Sequence, residues 1–287
     1  MKQPKEKKSF WQGVKEEIRH NRTSFIVWTL LRLSVVGVMI RSVFSGNFEH
    51  VFLCILTLIL FSLPTMLARR LSIKFPTAME ILILVFIYAA EILGEISCFY
   101  MKFPFWDTLL HTTSGFLFAA IGFAFVDILN KDPKIKFQLS PFFLALFAFC
   151  FALMIGTLWE FFECSVDILL HKDMQKDTVV DFIYSVYLDP ANANAVIIKR
   201  GIRDVILVFE DGTQQALGVG GYLDIGLYDT MEDMFVNFIG ALVFSFIGYF
   251  YVKTRGKGKI AKHFIPTLKE GSEEGQEGKA EETEETE

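Results

Sequence analysis

The stretch PFFLALFAFCFALMIGTLWEFFECSVDILL, residues 141–170, decides the fold. From Pro141 to Trp159 it carries no charge. A helix needs roughly 20 mostly apolar residues to cross a bilayer, so this run is long enough. It then turns acidic at Glu160, Glu163 and Asp167, spaced i, i+3 and i+7 on one helix face. Its last turns are expected to leave the hydrocarbon. Five further apolar runs lie at 25–44, 50–68, 78–100, 107–129 and 231–252. The chain has 287 residues, is 52% hydrophobic and holds 31 Phe, which excludes an ordinary soluble domain. The expected fold is all-α: a six-helix transmembrane bundle with a small extracytoplasmic β-hairpin insert and a disordered acidic C-terminal tail.

Charge sets the expected orientation. Short loops rich in Lys and Arg stay in the cytoplasm. Seven basic residues precede residue 23; Arg69, Arg70 and Lys74 follow the second run; Lys131, Lys134 and Lys136 follow the fourth; Lys253, Arg255, Lys257, Lys259 and Lys262 follow the sixth. The alternate loops are poor in base, so both termini are expected inside. Residues 1–24 then form a cytoplasmic segment, with Phe10, Trp11, Val14 and Ile18 giving an amphipathic helix over 8–20. Residues 25–170 hold helices one to five, 171–230 an extracytoplasmic loop, 231–252 the sixth helix, and 253–287 a basic flank and tail. The tail 269–287 has nine Glu and two Lys, so the net charge of −5 hides a slightly basic remainder. No cleavable signal peptide is evident. The four cysteines, Cys54, Cys98, Cys150 and Cys164, lie scattered through apolar runs and read as small hydrophobes.

Within 171–230, AVIIK (195–199) and RDVILVF (203–209) have strand character, and Asp211-Gly212 is a hairpin signal returning over 213–218. The expectation is a hairpin or three-stranded cap.

Ionisable groups inside a bilayer are expensive and mark function by default. The chain carries four such pairs: Glu91 with Glu95, Asp107 with His111, Glu160 with Glu163, and Asp229 with Asp233. The charge-derived topology places all four at one outer level. Gly115 extends the Asp107–His111 stripe, and Asn237 and Gly240 extend the Asp229–Asp233 stripe. Carboxylates with an imidazole suit a divalent cation. Asp107, His111, Glu163, Asp229 and Asp233 are the expected ligands, and Glu160, Glu163 and Asp233 the expected catalytic carboxylates. Blander roles compete. Asp229-Thr-Met-Glu232 has capping-box form, Asp107 can cap its helix, and Arg41 can neutralise Glu91 or Glu95. Phosphate loops, HExxH and nucleophile elbows are missing, and the basic residues track membrane boundaries rather than nucleic acid.

The segments Trp106-Asp107-Thr-Leu-Leu-His111-Thr-Thr-Ser-Gly115, Gly156-Thr-Leu-Trp159-Glu160-Phe-Phe-Glu163 and Tyr228-Asp229-Thr-Met-Glu-Asp233-Met-Phe-Val-Asn237-Phe-Ile-Gly240 together resemble the bacterial YjdF-type multi-pass membrane proteins. More distantly, the D-x3-H and D-x3-N-x2-G pieces are similar to VanZ-like proteins. The resemblance implies a bacterial plasma-membrane location in contact with the lipid bilayer.

Three functions fit. The favoured one is an outward-facing metal-dependent hydrolase or transferase acting on a lipid-linked or envelope substrate. The alternatives are a non-catalytic assembly or envelope-stress module, and an ion- or proton-coupled transporter.

Overall fold

The computed structural model describes residues 22–70, 73–130, 139–254, 256, 258 and 260–268. The expected N-terminal amphipathic helix, the basic loop at 131–136 and the acidic tail lie outside these residues. Among the described residues six helices are long and apolar enough to cross a membrane: Arg22–Phe44, Phe48–Arg70, Thr77–Ile96, Trp106–Asn130, Pro141–Leu170 and Leu227–Lys253. They match the six expected runs, with internal breaks the apolar pattern does not show.

Helix α1 is Arg22–Phe44. Gly46 at φ +70° turns the chain, and Asn47 caps the next helix by accepting from the His50 amide at 3.1 Å. The second span is two helices, α2 (Phe48–Leu60) and α3 (Leu63–Arg70). Pro64 has no amide to donate back along the helix, which accounts for the break. The third span begins as α4 (Thr77–Tyr88) behind Pro76, then widens into a π-helix over Ala89–Ile96. It ends before the expected residue 100, because Cys98 adopts a left-handed conformation at φ 57°. A short α5 (Phe99–Lys102) leads into α6 (Trp106–Asn130). Helix α7 is Pro141–Leu170, and α8 is Leu227–Lys253, one turn longer at its start than expected.

The described residues divide into two compact units, those up to Ile155 together with those from Val236 onward, and Gly156–Phe235; α7 and α8 contribute to both. The first unit holds two apolar cores. Val35, Cys54, Phe61, Leu84 and Ile92 join α1, α2, α4 and the π segment. Met79, Leu117, Ala120, Phe123, Leu144, Ala148, Ala241 and Phe244 join α4, α6, α7 and α8. The outward faces are apolar as well: Ile26, Leu30, Leu33 and Ile40 of α1 are all exposed. A lipid-facing helix has this character, because lipid tails solvate Leu as well as a protein core does.

Ladder β1–β8 pairs Ile73–Lys74 with Thr267–Leu268. It joins the segment after the second span to the segment after the sixth, so both lie on the same side, as an even number of crossings between them requires. Ala261 and Ile265, just before β8, are buried in the second core.

The second unit holds three small antiparallel ladders: β2 (Val179–Val180) with β7 (Tyr222–Leu223), β3 (Phe182–Ser185) with β4 (Ile197–Arg200), and β5 (Ile206–Val208) with β6 (Gln214–Ala216). The β5–β6 hairpin turns at Asp211-Gly212 as expected, with Gly212 at φ +80°. The expected strand at 195–199 does not join it. Its residues fall largely in β4, which pairs backwards with β3. All four cysteines are free thiols.

Glycine sets the closest approach in the first unit. A Cβ on Gly115 would collide with the Asn237 carbonyl oxygen, and one on Gly240 with that of Thr112. Gly37 on α1 faces open space. Gly240→Val is therefore expected to destabilise the purified protein by roughly 1–3 kcal/mol, the cost of overpacking a tight seam. Gly37→Ala should be neutral or stabilising by about 0.5–1 kcal/mol, the difference in helix propensity. Thermal unfolding in detergent measures both, and equal effects of the two substitutions would refute the seam.

Candidate metal centre

Helix α6 begins at Trp106, which places Asp107 in its first turn and His111 one turn further on the same face. Asp107 is half-buried and His111 is 8% exposed. His111 Nε2 lies 3.4 Å from Asp107 Oδ1. One turn on, Ser114 Oγ accepts from Asn237 Nδ2 at 3.1 Å, while Asn237 Oδ1 is buried without a hydrogen-bond partner among the described residues.

Glu160 and Glu163 occupy the expected face of α7 and are 4% and 8% exposed, in a helix whose neighbouring Trp159, Phe161 and Phe162 are exposed. Trp159 Nε1 donates to Glu163 Oε1 at 2.8 Å, an i,i+4 pair that the sequence contains but that spacing alone did not single out. Asp233 on α8 is 3% exposed.

Several other acids of the second unit are engaged with the backbone. Asp167 accepts from the amides of Met174 (2.6 Å) and Gln175 (2.8 Å). Asp229 Oδ2 accepts from the Lys176 amide at 2.8 Å, and Gln175 Nε2 donates to Thr230 Oγ1. Asp229 lies inside α8, not at its cap. The capping role falls to Asp224, whose Oδ2 accepts from the Tyr228 amide at 2.8 Å and whose Oδ1 accepts from Thr178 and Gly226. Sequence reading missed Asp224, which lies ahead of the expected start of the sixth helix at 231. Glu91 and Glu95 lie on the π segment, and no ion pair joins them to Arg41 among the described residues.

His111, Glu160, Glu163 and Asp233, all buried, form a His/carboxylate group that could hold a metal ion. Asp107, Asp229 and Asp233 form a second such group. One imidazole with three carboxylates is a mixed, fairly hard donor set, suited to Zn²⁺, Mn²⁺ or Fe²⁺. Every expected site residue falls in one of these two groups.

Asp189 shows how the second unit uses carboxylates structurally. Its oxygens accept from the amides of Ala191 (3.0 Å), Ala193 (2.8 Å) and Ala195 (3.1 Å). The Ala195 amide, followed by those of Ala191 and Ala193, holds this carboxyl below the usual Asp range. With a depressed folded pKa, its contribution is present above about pH 3.9, the unfolded value, and is lost as pH falls through the lower folded value. Hydrogen exchange at Ala191, Ala193 and Ala195, corrected for intrinsic rates, should stay protected at about pH 4 and open only as pH falls further, through the lower folded value. Asp189→Ala should abolish that protection at all pH values.

No solved structure matches the chain. An uncharacterized protein of Thermotoga maritima is 31% identical over 102 residues, which cover 34% of this chain and 50% of that protein. The chain thus spans about half the length of this relative. Residues 26–187, more than half of the chain, match the family described as predicted membrane protein (DUF2238). The chain, with its six apolar spans, belongs to that family of membrane proteins.

Proposed function

We propose that the chain is a metal-dependent membrane hydrolase or transferase acting on a lipid-linked or envelope substrate. The observation that carries this reading is the donor set itself. Three carboxylates and an imidazole, all under a tenth exposed, gather donor atoms whose joint charge a bound cation would offset. In this reading His111, Glu163 and Asp233 hold the ion. Asp107 orients the imidazole through Nε2, the arrangement that carboxylates provide for metal-bound histidines. Trp159 does the same for Glu163. Glu160 is then the carboxylate available as general base. A bound ion would supply an activated water or polarise a phosphoryl or carbonyl oxygen.

Metal content of the purified chain tests this. About one transition-metal ion per chain is expected, falling at least tenfold in His111→Ala and in Glu163→Gln, with the chain still folded by circular dichroism. Added Zn²⁺ or Mn²⁺ should raise the melting temperature of the wild type and not of the variants. Equal, negligible metal in all three would remove the proposal. It would leave the non-catalytic reading, which the backbone-bound carboxylates Asp167, Asp224 and Asp229 favour.

The site is proposed to face outward, with both termini cytoplasmic. The positive loops support this, and the β1–β8 ladder agrees with it by placing two of the basic segments on one side. Ala193 and Lys262 are both exposed. In a variant whose native cysteines are replaced by alanine, Ala193→Cys should react with an impermeant maleimide in intact cells. Lys262→Cys should react only after permeabilisation. The reverse pattern would turn the site inward.

A further inference from the structure

The first unit carries an open groove of ≈ 440 Å³ between α1 and the end of the second span, and its lining includes Trp28, Arg32, Ser62, Thr65, Arg69 and Arg70. Three guanidinium groups and no carboxylate line it. Arg32 is the unusual member. It lies in the middle of α1, a helix with the length and composition of a membrane span. Its guanidinium sits 4.0 Å over the Trp28 ring and donates from Nη2 to Ser62 Oγ at 2.8 Å. These contacts aim the fork without neutralising it, since neither partner carries negative charge. Its Nε is buried with no hydrogen-bond partner among the described residues. A half-buried arginine in a membrane helix is costly unless an anion or water meets it. Arg69 and Arg70 are exposed at the C-terminal end of α3, where the helix dipole favours them. That dipole does not explain Arg32.

From these contacts we infer that the groove binds a phosphate-bearing anion, clamped by Arg32 with Arg69 and Arg70 and supported by the hydroxyls of Ser62 and Thr65. Guanidinium forks match phosphate oxygens two at a time, which suits this ligand better than a spherical halide. The groove volume falls within the range of small-ligand pockets. Basic pockets between membrane helices take lipid head groups, and the same chemistry would hold free phosphate. The inference stands apart from the metal proposal and shares no residue with it.

The purified full chain, delipidated in neutral detergent, is titrated with phosphatidylglycerol, with phosphatidylcholine and with inorganic phosphate, and binding is read by native mass spectrometry. Phosphatidylglycerol is expected to bind more tightly than phosphatidylcholine. Its affinity should fall about tenfold, or 1.4 kcal/mol, in Arg32→Gln and in the double variant Arg69→Gln/Arg70→Gln. Arg41→Gln, on α1 but outside the groove lining, should bind as wild type does. Displacement of the lipid by inorganic phosphate, with the same arginine dependence, supports the site and assigns it to a soluble phosphate. Should Arg32→Gln fail to fold, the double variant carries the test, because it leaves the Arg32–Ser62 bond intact. Unchanged affinity for both probes in the folded arginine variants overturns the inference.

Discussion

The close approach of α6 to α8 is the contact on which the rest of the first unit depends. Apolar faces alone do not drive helices together in lipid, so shape and hydrogen bonding must do so. Gly115 sits against the Asn237 carbonyl and Gly240 against that of Thr112, with the Asn237–Ser114 bond between them. Below this seam the packing stays tight: Ala119, Ala120, Phe123, Ala241 and Phe244 are fully buried, and Phe116 and Phe244 meet edge to face at 5.1 Å. Any side chain at either glycine would separate the helices along this whole length. The polar stripe of α6, with Asp107 and His111, continues the line of Gly115 directly, so the same seam that packs the helix also fixes the direction in which that stripe faces.

The carboxylates sort by what their oxygens touch. Asp167, Asp189, Asp204, Asp224 and Asp229 accept backbone amides of the loops around them, and each such bond removes a donor that would otherwise be stranded in a turn. A carboxylate serving two or three amides is already compensated and gains little from a cation. Glu160, Glu163 and Asp233 differ in place: they are under a tenth exposed and lie further inside α7 and α8 than Asp167 and Asp229. This contrast in position, more than the acidity of the segment, sets the buried His/carboxylate group apart from loop architecture.

Much of this was legible before any coordinates. Six long apolar runs read as spans, and the i, i+3 or i, i+4 pairs Asp107–His111, Glu160–Glu163 and Asp229–Asp233 on three of them singled out these residues. The Asp211-Gly212 turn was readable because only a positive φ satisfies it. What was hidden was non-local. The β3–β4 ladder joins strands separated by a long turn, and the two-residue β1 and β8 are too short for any periodicity. The Asp224 cap was obscured because its partner Tyr228 lies ahead of the expected start of the sixth helix at 231, whereas α8 begins at Leu227. The π-helix at Ala89–Ile96 leaves no mark in an apolar pattern, since widening a helix changes backbone bonding rather than composition.

That π segment nonetheless determines where the site helix starts. Its first residue, Ala89, offers the carbonyl to which Trp106 Nε1 donates at 3.3 Å. Gly94 leaves the room that the Tyr100 ring fills, and a Cβ there would strike the ring. Cys98 then reverses the chain through its left-handed conformation, and Phe99, Phe103 and Trp106 pack as one aromatic corner with the Phe99 and Trp106 centroids 4.8 Å apart. Trp106 is thus both the first residue of α6 and the side chain that ties α6 to the preceding span. Asp107 follows it immediately and His111 one turn later. The irregular backbone of the third span therefore sets the starting register of the helix that carries the imidazole. This gives a physical reason for a π-helix, which is otherwise costly, to persist beside a polar site.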